Sequence, residues 1–162
     1  MDIDAALQAL RGMRVLEELS SGRLSTSRIE ALGFRDAGAW ERLAGVYFGP
    51  TRHKRLQAAA RVAAEGLSLD ALGVVEKHTR KLLKGAAVTE WELRVELCGL
   101  RGTVGEIDRA AAARVREYNR TVDDVEQQAY GRRSIKGGKN TDSQGLRTIT
   151  ITGPERHITG FL

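Results

Sequence analysis

Apolar residues recur at helical spacing through most of the first 120 positions. Over 2–20, Ile3, Ala6, Leu7, Leu10 and Met13 fall near one face at 100° per residue, predicting an amphipathic helix that ends at Ser20-Ser21-Gly22. A short helix is expected over 27–32, closed by Gly33. Asp36 is placed to cap a third, in which Trp40, Leu43, Ala44 and Tyr47 recur at i, i+3, i+4 and i+7, a stripe that reads as core rather than as a stacking platform. Phe48-Gly49-Pro50 then interrupts the chain, and Thr51 is placed to cap a helix running to Gly66. From Ser68 onward Leu72, Val75, Leu82 and Leu83 share one helical face, while Lys77, Arg80, Lys81 and Lys84 lie nearly opposite and form a basic, solvent-facing stripe.

Two Thr-x-x-Glu capping boxes follow, Thr89 with Glu92 and Thr103 with Glu106, in which each side chain satisfies a free backbone N–H of the other residue. They mark helices over 90–98, aligning Trp91, Val95 and Cys98, and 105–119, turning Ile107, Ala110, Ala111 and Tyr118 inward and Arg109, Ala112, Arg116 and Arg120 outward. Glycines at 99, 102 and 105 keep the connection short, as in a helix-turn-helix or any helical hairpin. Beyond 120 the period changes. A glycine-rich polar stretch leads to Ile149 and Ile151 alternating with Thr148, Thr150 and Thr152, so 132–153 reads as a β-hairpin with a long basic turn. The fold class expected is mainly α, a compact multi-helix domain with a C-terminal β-hairpin. It divides into a helical domain at 1–120, a polar linker and basic turn at 121–145, and a segment at 146–162 that holds a β-strand and the start of a further helix at Pro154-Glu155.

Length and composition agree with that reading. The chain has 162 residues, of which 41% are hydrophobic, 29% charged and only two proline, which suits one helical domain and excludes wholesale disorder. No apolar run is long enough to span a bilayer and the start is acidic, so a cytoplasmic protein without a membrane partner is expected. Cys98, the one cysteine, excludes an internal disulfide and a cysteine-rich zinc site. The net charge of +5 is unevenly spread: −1 over 1–50, +5 over 51–88, −3 over 89–128 and +4 over 129–162. A polyanion partner would therefore engage the two basic blocks.

Motifs for chemistry are absent. There is no GxxxxGK[ST] loop, GxGxxG, GxSxG or HExxH, and Lys136-Gly137-Gly138-Lys139 lacks the strand–loop–helix order of a phosphate cradle. His78 and Cys98 could be paired as base and nucleophile only if the fold brought them together, and Cys98 sits on an apolar stripe.

Five segments, YFGPTR (47–52), 68–82 with its SLDAL and KHTRKL, WELRVELC (91–98), EIDRAAAARVRE (106–117) and GLRTITITGP (145–154), together resemble the N-terminal helical region of actinobacterial, corynebacterial-type HNH endonuclease proteins of the mycobacterial thirteen-E-twelve repeat family. That resemblance implies a helical region ahead of a ββα metal finger, whose histidines hold a divalent ion and activate water. His53, His78 and His157 do not match the finger, so no catalytic residue, cofactor or metal is assigned here, and a divalent metal is expected only if an HNH unit follows residue 162.

The function expected is a non-catalytic DNA-binding or DNA-positioning module. Its phosphate contacts would be Arg52, Lys54, Arg55, Lys77, Arg80, Lys81 and Lys84, with Arg132, Arg133, Lys136, Lys139 and Arg147 from the hairpin. The alternative is a protein-interaction or oligomerisation module, a homodimer through the C-terminal strand, that leaves nucleic acid alone.

Overall fold

The computed structural model describes Ile3, residues 11–122, 134–137 and 149–152. Within them the chain forms α1 (Gly12–Ser20), α2 (Thr26–Ala31), α3 (Ala37–Phe48), α4 (Lys54–Ala63), α5 (Leu69–Thr79), α6 (Glu90–Cys98) and α7 (Val104–Arg120). Strands β1 (Ser134–Gly137) and β2 (Ile149–Thr152) follow. The strands pair antiparallel with Ile135 opposite Ile151 and Gly137 opposite Ile149, so the hairpin expected from the period-two pattern is present, and β1 lies inside the stretch expected as linker and basic turn.

The helix starts follow local chemistry. Both capping boxes are formed: Thr89 and Thr103 accept from the backbone N–H of Glu92 and Glu106, whose carboxylates accept from the threonine N–H groups at 2.8 Å. Replacing either threonine with alanine is expected to cost about 1 kcal/mol, read from urea denaturation. Ser25 and Ser68 cap α2 and α5 through their hydroxyls. Asp36 occupies the cap position of α3 without a side-chain bond, and Thr51 does not cap α4; its hydroxyl accepts from His53 N–H two residues on, and the helix begins only at Lys54.

One core joins α1, α3, α4, α5, α6 and α7. Leu16, Tyr47, Leu72, Val75, Leu93, Leu97 and Cys98 are fully buried within it. The α3 stripe is core as expected, with Leu43, Ala44 and Tyr47 buried and Trp40 packed at the edge. Ile3 is exposed, not inward: Met13 and Leu16 close the core on the α1 side. Ala6, Leu7 and Leu10 lie outside the described residues.

Further expectations are corrected. Helix α5 stops at Thr79, and a turn carries Arg80, Lys81 and Lys84, because Asn119 of α7 takes the N–H of Leu83 and donates to the carbonyl of Lys81, bonds that a continued helix would have kept to itself. In α7 the inward stripe is Ile107, Ala111 and Val115, and Ala110 is exposed. In α6 the buried side is Leu93, Arg94, Leu97 and Cys98, with Trp91 and Val95 only half-buried. Nor do α6 and α7 pack as a helix-turn-helix: α6 lies mainly along α4 and α7 mainly along α5.

Candidate nucleic-acid interface

Helices α4 and α6 run side by side in the same direction. The His53 ring at the start of α4 lies 6.2 Å from the Trp91 ring at the start of α6, and Arg101, just past α6, donates to the carbonyl of Ala63 at the end of α4 at 2.9 Å. Helix α5 starts near the end of α4, returns past α6 with Glu76 against Arg94, and the turn after it leads to the start of α6. Arg52, Lys54 and Arg55 lie at or just before the start of α4, and Arg80, Lys81 and Lys84 in the turn that follows α5. All six are exposed. Among the described residues, Arg52, Lys54, Arg55, Arg80 and Lys81 form no ion pair.

Two features moderate the positive charge of these groups. Glu90 and Glu92 sit in the first turn of α6, with Glu92 held by its Thr89 box. Lys77, exposed as expected, donates to Asp108 Oδ1 at 2.9 Å, and buried His78 shares the same oxygen at 2.8 Å. Hydrogen bonds from Lys77 and then His78 hold the Asp108 carboxyl down at about 2, from an ordinary 3.8. A depressed carboxyl pKa contributes stability that is present above about pH 4 and is lost as the pH falls through about 2. Asp108→Asn is therefore expected to be less stable than the parent at pH 6, with the gap narrowing steadily in urea titrations taken down toward pH 2. A gap independent of pH would exclude this contribution.

Of the hairpin residues, Lys136 lies on β1 opposite Thr150. Arg132, Arg133, Lys139 and Arg147 lie outside the described residues.

Sequence reasoning missed a buried polar network. Arg94 forks onto Glu76 through Nε at 2.6 Å and Nη2 at 3.0 Å, and its guanidinium stacks on Trp91 at 4.3 Å. The Tyr47 hydroxyl lies 3.1 Å from Glu76 Oε1 and 3.4 Å from Cys98 Sγ. Through these contacts Tyr47, Glu76, Arg94 and Cys98 tie α3, α5 and α6 together. Burial lowers the Arg94 pKa and the Glu76 bonds raise it, with a net rise; burial first, then the Cys98 and Glu76 charges, pushes Tyr47 well above the usual phenol range. Burial pushes the Cys98 thiol up to about 11. A thiol so held stays protonated near neutrality and is a poor nucleophile. It is not joined to His78, which turns to Asp108. The signal for this network was in the sequence: Leu72, Val75, Glu76 and Thr79 recur at i, i+3, i+4 and i+7, which puts Glu76 on the apolar face of α5.

Among the described residues, no group of three or more His, Cys, Asp or Glu is placed to hold a metal ion, and no helix is long and apolar enough to cross a membrane. No family model, curated protein or solved structure matches the chain.

Proposed function

We propose that this chain is a non-catalytic DNA-binding or DNA-positioning module, of the kind that precedes an HNH nuclease in the actinobacterial proteins its sequence resembles. The observation that carries the reading is the exposure of Arg52, Lys54, Arg55, Arg80 and Lys81, at the start of α4 and just past the end of α5, without ion pairs among the described residues. Exposed guanidinium and ammonium groups without carboxylate partners meet phosphates at little cost in ion pairs lost. Such contacts position a protein on the backbone without selecting a sequence. Five of them predict a slope of about −4 to −5 for log affinity against log salt on duplex DNA. Fluorescence anisotropy with a labelled duplex at several salt concentrations measures it. Absence of binding to duplex and single strand at 50 mM salt, roughly the low end of the range where such contacts dominate, would sink the reading.

A second reading is an interaction module. It is favoured by the two-stranded sheet, whose outer edges have no strand partner among the described residues, and by the partial exposure of Ile151. An open strand edge is a template for pairing with another chain. Light scattering separates the two readings: a stable dimer that ignores DNA and dissociates on Ile149→Pro would support this one.

A further inference from the structure

Helices α3 and α5 enclose a cleft of about 180 Å³. Arg42 stands on its α3 side and Lys77 and Arg80 on its α5 side, with Leu43, Gly73 and Glu76 completing the wall. The sequence pattern did not single out Arg42, which belongs to the acidic first block. The fold carries it across to the basic block.

Three properties define what the cleft can hold. Its volume is below the 300–1,000 Å³ typical of sites that enclose a whole small molecule, so it suits one small group. Its donors are cationic: Arg42 and Arg80 make no ion pair among the described residues, and the one carboxylate in the wall, Glu76, already has both oxygens engaged by Arg94. Lys77 is held by Asp108 at the surface, where an exposed ion pair is weak and screened, so the ammonium can turn inward while His78 still bonds the same carboxylate oxygen. The larger, open cleft of about 520 Å³ beside α1 has no such bias, since Glu17, Glu18 and Glu65 face Arg11 and Arg14 there.

We propose that the α3–α5 cleft is a phosphate seat, with the Arg42 and Arg80 guanidinium groups and the Lys77 ammonium as its donors. At Gly73, in the cleft wall, a Cβ would meet no atom within 4 Å, so there is open space there for a bulky side chain to occupy. The seat rests on the DNA-binding reading for the source of its phosphate, a backbone phosphodiester. Free phosphate is the other source of the same chemistry.

Two arms test it on the full chain. In the first, anisotropy with labelled duplex compares the parent with Arg42→Gln, Arg80→Gln, Gly73→Ala, Gly73→Leu and, as a control for lost charge, Arg28→Gln on α2. Each of the two cleft arginines is expected to make the salt slope shallower by about 1. Gly73→Leu, which changes no charge, is expected to weaken binding several-fold by filling the cleft, and Gly73→Ala and Arg28→Gln to leave the slope unchanged. In the second, the arginine Nε–H resonances are followed by NMR during titration with inorganic phosphate, with Gly73→Leu as the blocked reference and thermal melts to establish that each variant is folded. Shifts at Arg42 and Arg80 that vanish in Gly73→Leu support the seat. Seen without any DNA binding, they support a seat for free phosphate and overturn the DNA reading alone. DNA binding that is indifferent to Arg42→Gln, Arg80→Gln and Gly73→Leu overturns the seat and leaves the DNA reading standing. No DNA binding and no phosphate shifts overturn both.

Discussion

Glu76→Leu is expected to destabilise the protein by about 3–5 kcal/mol, because it leaves the Arg94 guanidinium buried without its anion. The Arg94 side chain is 8% exposed and that of Glu76 4%, so water does not replace the lost partner. Stacking on Trp91 and the distant Glu90 charge are weaker substitutes. A loss of that size is a large part of the 5–15 kcal/mol, roughly, that holds a domain together. The double variant Glu76→Leu with Arg94→Met is expected to recover most of it, since an apolar pair of similar volume needs no desolvation of ions, and the Tyr47 hydroxyl keeps Cys98. Urea denaturation of the parent, both single variants and the double variant gives the coupling. A single-variant loss below about 1 kcal/mol would mean that the guanidinium escapes to solvent and that the network is not a buried tie.

The second large effect concerns the contact of α1 with the start of α5. Leu72 is fully buried, and its Cδ1 would lie 2.6 Å from a Cβ built on Gly12; the Leu69 nitrogen and the Ser68 carbonyl carbon would each lie 2.9 Å from it. The N–H of Gly12 also donates to the Leu67 carbonyl at 2.9 Å, so this approach of backbone to backbone needs a residue without a side chain. Leu72→Ala is expected to cost about 2–5 kcal/mol through lost burial and the cavity left behind. Gly12→Ala is expected to cost about 1–3 kcal/mol by overpacking. Combining them relieves the contact with Leu72 but not those with the Ser68 and Leu69 backbone, so the double variant should be more stable than the sum of the singles and still less stable than Leu72→Ala. A double variant equal to Leu72→Ala would show that the α5 backbone yields freely.

Much of the fold was legible. Capping boxes at Thr89 and Thr103, the α3 stripe through Tyr47 and the alternation at Ile149 and Ile151 are short-range patterns, and each corresponds to an element of the predicted kind. The failures share a cause. Lys81 and Lys84 fit a continued α5 by spacing, yet α7 supplies, through Asn119, the bonds that end it. Ala110 fits the inward face of α7 by composition, but alanine is compatible with either face and the rotation of the helix is fixed by Ile107 and Val115. Arg94 was not placed inside because its polarity argues for solvent until Glu76, 18 residues away, is brought to meet it.

The candidate interface was half legible. Charge counting located the 51–88 block, and the exposure of Arg52, Lys54, Arg55, Arg80 and Lys81 agrees with it. Counting could not reveal that Lys77 is engaged by Asp108 or that Arg42 faces Lys77 and Arg80 across a cleft. The sequence by itself determined which segments are helical or extended and where several helices begin, since those depend on side chains within about four residues of one another. Tertiary structure decided where α5 ends, which faces of α6 and α7 turn inward, and which charges are left for a ligand. Those outcomes depend on partners distant in sequence, such as Asn119 for Leu83, Glu76 for Arg94 and Asp108 for Lys77, and a buried or paired charge is stable only once that partner is in place.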